Sequence, residues 1–124
     1  MLFRLRPDSD DPLFTQLADA VRAQLCAGRL APGDRLPAAR EVADALEVNV
    51  HTVLRAYQDL RDEGLVELRR GRGAVVTDAG AHLQSLNDDI AALIAKSGAL
   101  SIHPETLSAL VKEAARAHPA PPEP

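Results

Sequence analysis

The most constraining feature of this chain is a change of period at Gly64. Before it, Val53, Ala56, Tyr57 and Leu60 recur at steps of three and four, which places them on one face of a helix turning 100° per residue. After it, Leu65-Val66-Glu67-Leu68 alternates at a period of two, Arg69-Arg70-Gly71-Arg72-Gly73 reads as a turn, and Ala74-Val75-Val76-Thr77 returns. The pattern predicts a helix capped by Asn49 and stopped by Gly64, followed at once by a hairpin with arginines at its tip.

Two further helices precede this stretch. Residues 2–5, LFRL, read as a short strand or arm, and Pro7 to Pro12 as an acidic loop. Asp11 is then an expected N-cap with Pro12 at the first helical position. Leu13, Leu17, Val21 and Leu25, with Phe14 and Ala18, form an apolar stripe that runs to about Ala27 and ends at Gly28. The run GRLAPGDRLP is a loop with a Pro32-Gly33 turn. A second helix is expected over Pro37–Leu46, with Val42, Ala43 and Leu46 inward and Arg40 and Glu41 outward. Only Glu47 and Val48 separate it from Asn49, so the two helices form a helix-turn-helix and the hairpin becomes its wing.

Phe3, Phe14 and Tyr57 are the full set of aromatics, so the core has to be built mainly of Leu, Val and Ala, which favours helices. From Asp78 onward, Leu83, Leu86, Ile90, Leu93 and Ile94 recur at helical spacing as far as Gly98, which predicts one amphipathic helix. A second, opened by His103-Pro104-Glu105, carries Leu107, Leu110, Val111 and Ala114. Two such helices have too little chain for a core of their own, so their stripes are expected to pack against a second copy. The expected organisation is a winged helix-turn-helix domain over 1–77, a helical dimerisation segment over 78–118 and a disordered tail, PAPPEP, over 119–124. The fold class is mainly α with a small β-hairpin.

Net charge is −4, divided unevenly. Residues 1–77 carry eleven arginines and twelve acids, and residues 78–124 carry three basic residues and six acids. That excludes a surface uniformly coated in cations and leaves local arginines, the bidentate readers of phosphate and guanine. No run approaches the ~20 apolar residues of a membrane span and the start lacks a secretory pattern, so no membrane partner and a cytoplasmic location are expected. The lone Cys26 cannot form an internal disulfide and reads as a packing residue. His82, His103 and His118 fit no ligand spacing, so no metal is expected. No catalytic constellation and no cofactor signature is present, and an enzyme is not expected.

The run from Pro12 to Val76, with its combination of PGDRLP, AREVA, VNVHTVLRAY, EGL and RRGRG, resembles the DNA-binding domain of the GntR family of bacterial transcription regulators. The short two-helix end resembles its YtrA-type subfamily. The resemblance implies a homodimeric repressor of an inverted-repeat operator in double-stranded DNA, in the family often that of its own operon and one encoding a transporter. By position it implies DNA contacts for Arg40, for Asn49, Val50 and Thr52 at the helix tip, and for Arg70 and Gly71 on the wing. His51, Arg55 and Arg72 join them on chemical grounds, as groups able to meet a base, a phosphate or a narrow groove. Arg55 can alternatively pair with Asp59 or Asp62 on its own helix. Three departures stand out: Val50 where relatives carry Arg or Pro, Ala38-Ala39 where Ser or Glu is frequent, and Glu47 where glycine is usual. A small-molecule effector, if one exists, would have to sit between the C-terminal helices or against the winged domain. The competing reading is a winged protein-interaction module without a DNA target, against which the RRGRG tip argues.

Overall fold

A computed structural model describes residues 3–118, in two compact units, one reaching Asn87 and one starting at Asp88. The tail expected to be disordered, 119–124, lies outside the described residues. The first unit is ordered α1 (Leu13–Cys26), α2 (Ala39–Leu46), α3 (Val50–Asp62), β1 (Val66–Arg69), β2 (Gly73–Val76), α4 (Asp78–Ala81) and a 3-10 turn over His82–Leu86. Leu17, Val21 and Leu25 of α1 pack with Val42 of α2, Val53, Ala56, Tyr57 and Leu60 of α3, and Val66, Ala74 and Val76 of the hairpin. The core is aliphatic as expected, with Phe3 and Tyr57 added. Residues 3–6 form no strand; they are an arm pinned by the buried Phe3 ring.

Asp11 does not cap α1. Pro12 holds the N-cap position without a side-chain bond, and Gln16 ties the entry instead. Its buried Oε1 accepts the Arg6 N–H at 2.7 Å and its Nε2 donates to the Asp11 carbonyl at 3.1 Å. Helix α2 starts two residues later than expected, at Ala39, since Ala38 is still extended at ψ 140°; the Pro37 carbonyl before it accepts the Tyr57 hydroxyl at 2.6 Å. Glu47 ends α2 with φ 56° and ψ 46°, a left-handed conformation that costs a side-chain-bearing residue about 1 kcal/mol or more. The tight join to α3 requires that backbone, and here glutamate supplies it.

Helix α3 has both of its predicted ends. The Asn49 Oδ1 accepts the His51 N–H at 2.8 Å, a cap worth about 1 kcal/mol. At the other end Gly64, φ +81°, donates to the Arg61 carbonyl while Leu65 donates to Leu60, the paired bonds of a Schellman stop. Arg22 of α1 pairs with Asp19 and reaches across to Glu63, fastening α1 to this end of α3.

In the hairpin, Val66 faces Val76 and Arg69 faces Gly73. The loop read as GRLAPGDRLP supplies a third strand-like segment. Val76 donates to the Asp34 carbonyl at 2.8 Å, Leu36 to Ala74 at 2.9 Å and Gly33 to Val76 at 2.9 Å, with Arg35 bridged to Val75. The wing is thereby hydrogen-bonded on both sides of β2.

The single helix expected over 78–98 is broken. Thr77 caps α4 by accepting the Gly80 N–H at 3.0 Å and donates its own hydroxyl to the Gly64 carbonyl at 2.6 Å. Gly80 is buried against Leu65, and Leu83 packs on the winged core. Leu83 therefore leaves the set expected to meet a second copy, and the first unit extends past the boundary expected at 77. The connector folds back because a 3-10 turn keeps side chains three residues apart aligned, so the apolar spacing survives while the axis does not continue.

The second unit comprises α5, which runs Asn87–Ala99, and α6, Pro104–Ala117. Between them Ser101 adopts φ 58°, and the Ile102 N–H returns to the Ser97 carbonyl at 3.0 Å. Ile90, Leu93, Ile94, Leu110 and Val111 are exposed and Leu107 is half-buried. Ile90, Leu93, Ile94, Leu107 and Val111 line an open groove of about 830 Å3. No helix among the described residues is long and apolar enough to cross a membrane.

Candidate nucleic-acid interface

One side of the first unit collects the start of α2, the tip of α3 and the turn of the wing. Arg40 is the second residue of α2 and is exposed. The helix has no side-chain cap, so its first N–H groups are free, as the Ala38-Ala39 departure predicts. At the tip of α3, His51 is exposed and Thr52 half-buried. The Asn49 side chain is engaged: its oxygen is the cap, which leaves the amide N–H groups as its outward donors. Val50 packs partly against the core, so only part of it is free for the thymine methyl contact that its apolar side chain suggests.

On the wing, Gly71 has φ +80° and the Arg72 N–H closes the turn on the Arg69 carbonyl at 3.0 Å. A side chain at position 71 would be strained in that conformation, which explains a glycine between the two tip arginines. Arg70 and Arg72 are exposed. Among the described residues neither they nor Arg40 takes part in an ion pair, whereas Arg69 is held by Glu67 at 2.7 Å, Arg61 by Asp62 and Arg22 by Asp19 and Glu63. Arg55 takes neither Asp59 nor Asp62; its Cζ lies 3.8 Å from the centroid of the Phe14 ring. Asp59 and Asp62 are thus corrected as its partners. Tyr57 is a core residue, its hydroxyl on Pro37, and its pKa is raised by burial and by the nearby Glu41 carboxylate.

Two side chains escaped the sequence reading. Arg35 lies on the strand-like segment beside β2 and shares an open concavity of about 620 Å3 with Arg72 and Glu41. Leu54, 39% exposed, sits on α3 between His51 and Gln58. Helical spacing sets Leu54 on the flank between the buried and the outward faces, and its apolar identity masked its exposure. Among the described residues no three His, Cys, Asp or Glu converge as a metal site. A capped helix tip beside a short basic wing matches the docking of a winged helix, tip in a major groove and wing toward the adjacent minor groove.

The comparisons with known proteins agree with this geometry. Residues 13–76 match the family model "Bacterial regulatory proteins, gntR family". The chain is 35% identical over 82 residues to the Bacillus subtilis HTH-type transcriptional regulator YhcF, covering 66% of this chain and 68% of that one. It is 34% identical over 77 residues to the HTH-type transcriptional repressor YtrA of the same organism, covering 62% and 59%. Among solved structures, a GntR family regulator from Listeria monocytogenes superimposes with a TM-score of 0.59 at 31% identity, over 86% of this chain and 97% of that one. YtrA from Sulfolobus acidocaldarius gives 0.58 at 31%, over 80% and 99%. The DNA-binding domain of AraR in complex with operator ORX1 gives 0.53 at 25%, over 60% and 93%. With its family model spanning the helix-turn-helix and the wing, this chain belongs to the gntR family of bacterial regulatory proteins and is a DNA-binding transcription regulator of the winged helix-turn-helix type.

Proposed function

We propose that the chain acts in the cytoplasm as a homodimeric repressor on an inverted-repeat operator. The observation that carries this is the trio of exposed arginines, Arg40, Arg70 and Arg72, which form no ion pair among the described residues and stand around the capped tip of α3. Arg40 and the free N–H groups of α2 hold phosphates, His51, Thr52 and the Asn49 amide meet the major groove, and Arg70 and Arg72 flank Gly71 in the minor groove. The exposed apolar faces of α5 and α6, carrying Ile90, Leu93, Ile94, Leu107, Leu110 and Val111, pair with those of a second copy, assisted by the exposed Leu86. A two-fold dimer presents two tips, which calls for two half-sites in inverted order. Repression is supported by the similarity to a protein named as a repressor, YtrA of Bacillus subtilis.

Footprinting of the purified chain on the DNA upstream of its own gene tests this reading. Two symmetric protected stretches, spaced by about one helical turn or a multiple of it, are expected. A single asymmetric footprint would contradict the dimeric reading.

A further inference from the structure

We propose that Phe14 is a positioning residue for DNA binding: its ring holds the Arg55 guanidinium ready for a phosphate at the rim of the groove that the tip of α3 enters. The inference rests on the DNA-binding reading of that tip. Arg55 lies about one turn behind His51 on the outward side of α3, about 6 Å back along the axis, which suits the backbone flanking the groove better than its floor. Its Cζ sits 3.8 Å from the ring centroid, and none of the ion pairs or side-chain hydrogen bonds found among the described residues includes it. Other arginines with an acid in reach take it: Arg22, Arg61, Arg69 and Arg116 all do.

A ring under the guanidinium restrains the side chain by its face and leaves the in-plane N–H donors open. A carboxylate would occupy those same donors. Phe14 can act as a fixed platform because it is itself half-buried against the core, on the first turn of α1. The arginine's conformational freedom is thus restricted before DNA arrives, and guanidinium sheds its weak hydration readily. A phosphate contact carries no sequence information, so the effect must appear equally on specific and unspecific DNA.

The test uses full-chain Phe14→Leu, Phe14→Tyr, Arg55→Lys, Arg55→Ala and the Phe14→Leu/Arg55→Ala double variant. Each is titrated by fluorescence anisotropy against the upstream fragment and against a mixed-sequence duplex at several salt concentrations, with thermal melting alongside. Phe14→Leu is expected to weaken binding about two- to fivefold per winged unit on both duplexes, and Phe14→Tyr, which keeps the ring face, to restore it. The double variant should bind no more weakly than Arg55→Ala, whose salt slope should fall by about one per bound unit. Arg55→Lys keeps the charge without the flat face; a loss with an unchanged melting midpoint supports the proposal even if Phe14→Leu folds poorly. Wild-type affinity in both Phe14→Leu and Arg55→Lys, or additive losses in the double variant, would overturn it while leaving the DNA reading intact. A wild-type chain that shows no salt-dependent binding to either duplex would instead remove the DNA reading on which it rests.

Discussion

Gly80→Ala is a substitution whose effect can be worked from the structure. A Cβ there would lie 2.4 Å from the Leu65 carbonyl oxygen and 3.2 Å from its carbon. That carbonyl cannot simply step aside, since it accepts the Thr77 N–H at 3.1 Å and follows directly on the glycine stop of α3. Forcing it away loses about 1 kcal/mol of hydrogen bond on top of the ~1–3 kcal/mol typical of overpacking. The sum is about 2–4 kcal/mol, and in a unit of this size each kcal/mol moves the midpoint by about 4–8 °C. Melting followed by far-UV circular dichroism should therefore drop by roughly 10–25 °C. Gly98→Ala serves as the control, because its added Cβ meets nothing within 4 Å and the midpoint of the first unit should not fall. A drop under about 3 °C for Gly80→Ala would refute the claim that α4 is docked rigidly on Leu65.

Arg40→Ala and Arg70→Ala should each weaken binding to the upstream fragment with an unchanged melting midpoint. The salt slope should shrink by about one per lost phosphate contact, read in a gel-shift titration. Truncation after Asn87 should give a folded monomer with weaker binding, because linkage of the half-sites is lost; sedimentation showing a dimer would contradict it. Glu47→Gly should raise the melting midpoint by about 2–6 °C, since glycine takes the left-handed backbone without the steric cost. Tyr57 has a raised folded-state pKa, so its contribution is fully present below the ordinary tyrosine value of about 10 and is lost as pH rises beyond it. Urea titrations at pH 8 and 10.5 should show that decline, and Tyr57→Phe should reduce it.

Helix α3 was legible from sequence because its evidence is local: a buried face at helical period, Asn49 before it and Gly64 after it. The wing was legible for the same reason, its alternation broken by glycines at the tip. The segment Gly33–Leu36 was not, because its bonds to β2 are backbone bonds to a distant partner and need no alternation of side chains. The break in 78–98 was hidden because Leu83 and Leu86 keep a spacing that a 3-10 turn also satisfies. In the candidate interface, the wing-tip arginines were readable from their glycine neighbours, whereas Arg40 was singled out by the family resemblance and stands exposed at the start of α2. The partner of Arg55 was not readable: Asp59 and Asp62 offered themselves at close helical spacing, while Phe14 approaches only through the packing of α1 on α3. Val50 and Leu54 exchanged prominence likewise, since a helical wheel does not say how deeply the tip is seated in its own domain.

The strand-like segment beside β2 also bears on how the protein behaves at high concentration. With Asp34–Leu36 on one side and β1 on the other, β2 offers neighbouring molecules no unpaired edge. Of the two outer edges, the one on β1 is four residues long and carries the paired charges of Glu67 and Arg69. An intruding strand would have to strip water from both charges for the sake of a few backbone bonds. The short, charged wing proposed to enter a groove therefore also keeps copies at high concentration from joining sheet to sheet along β1.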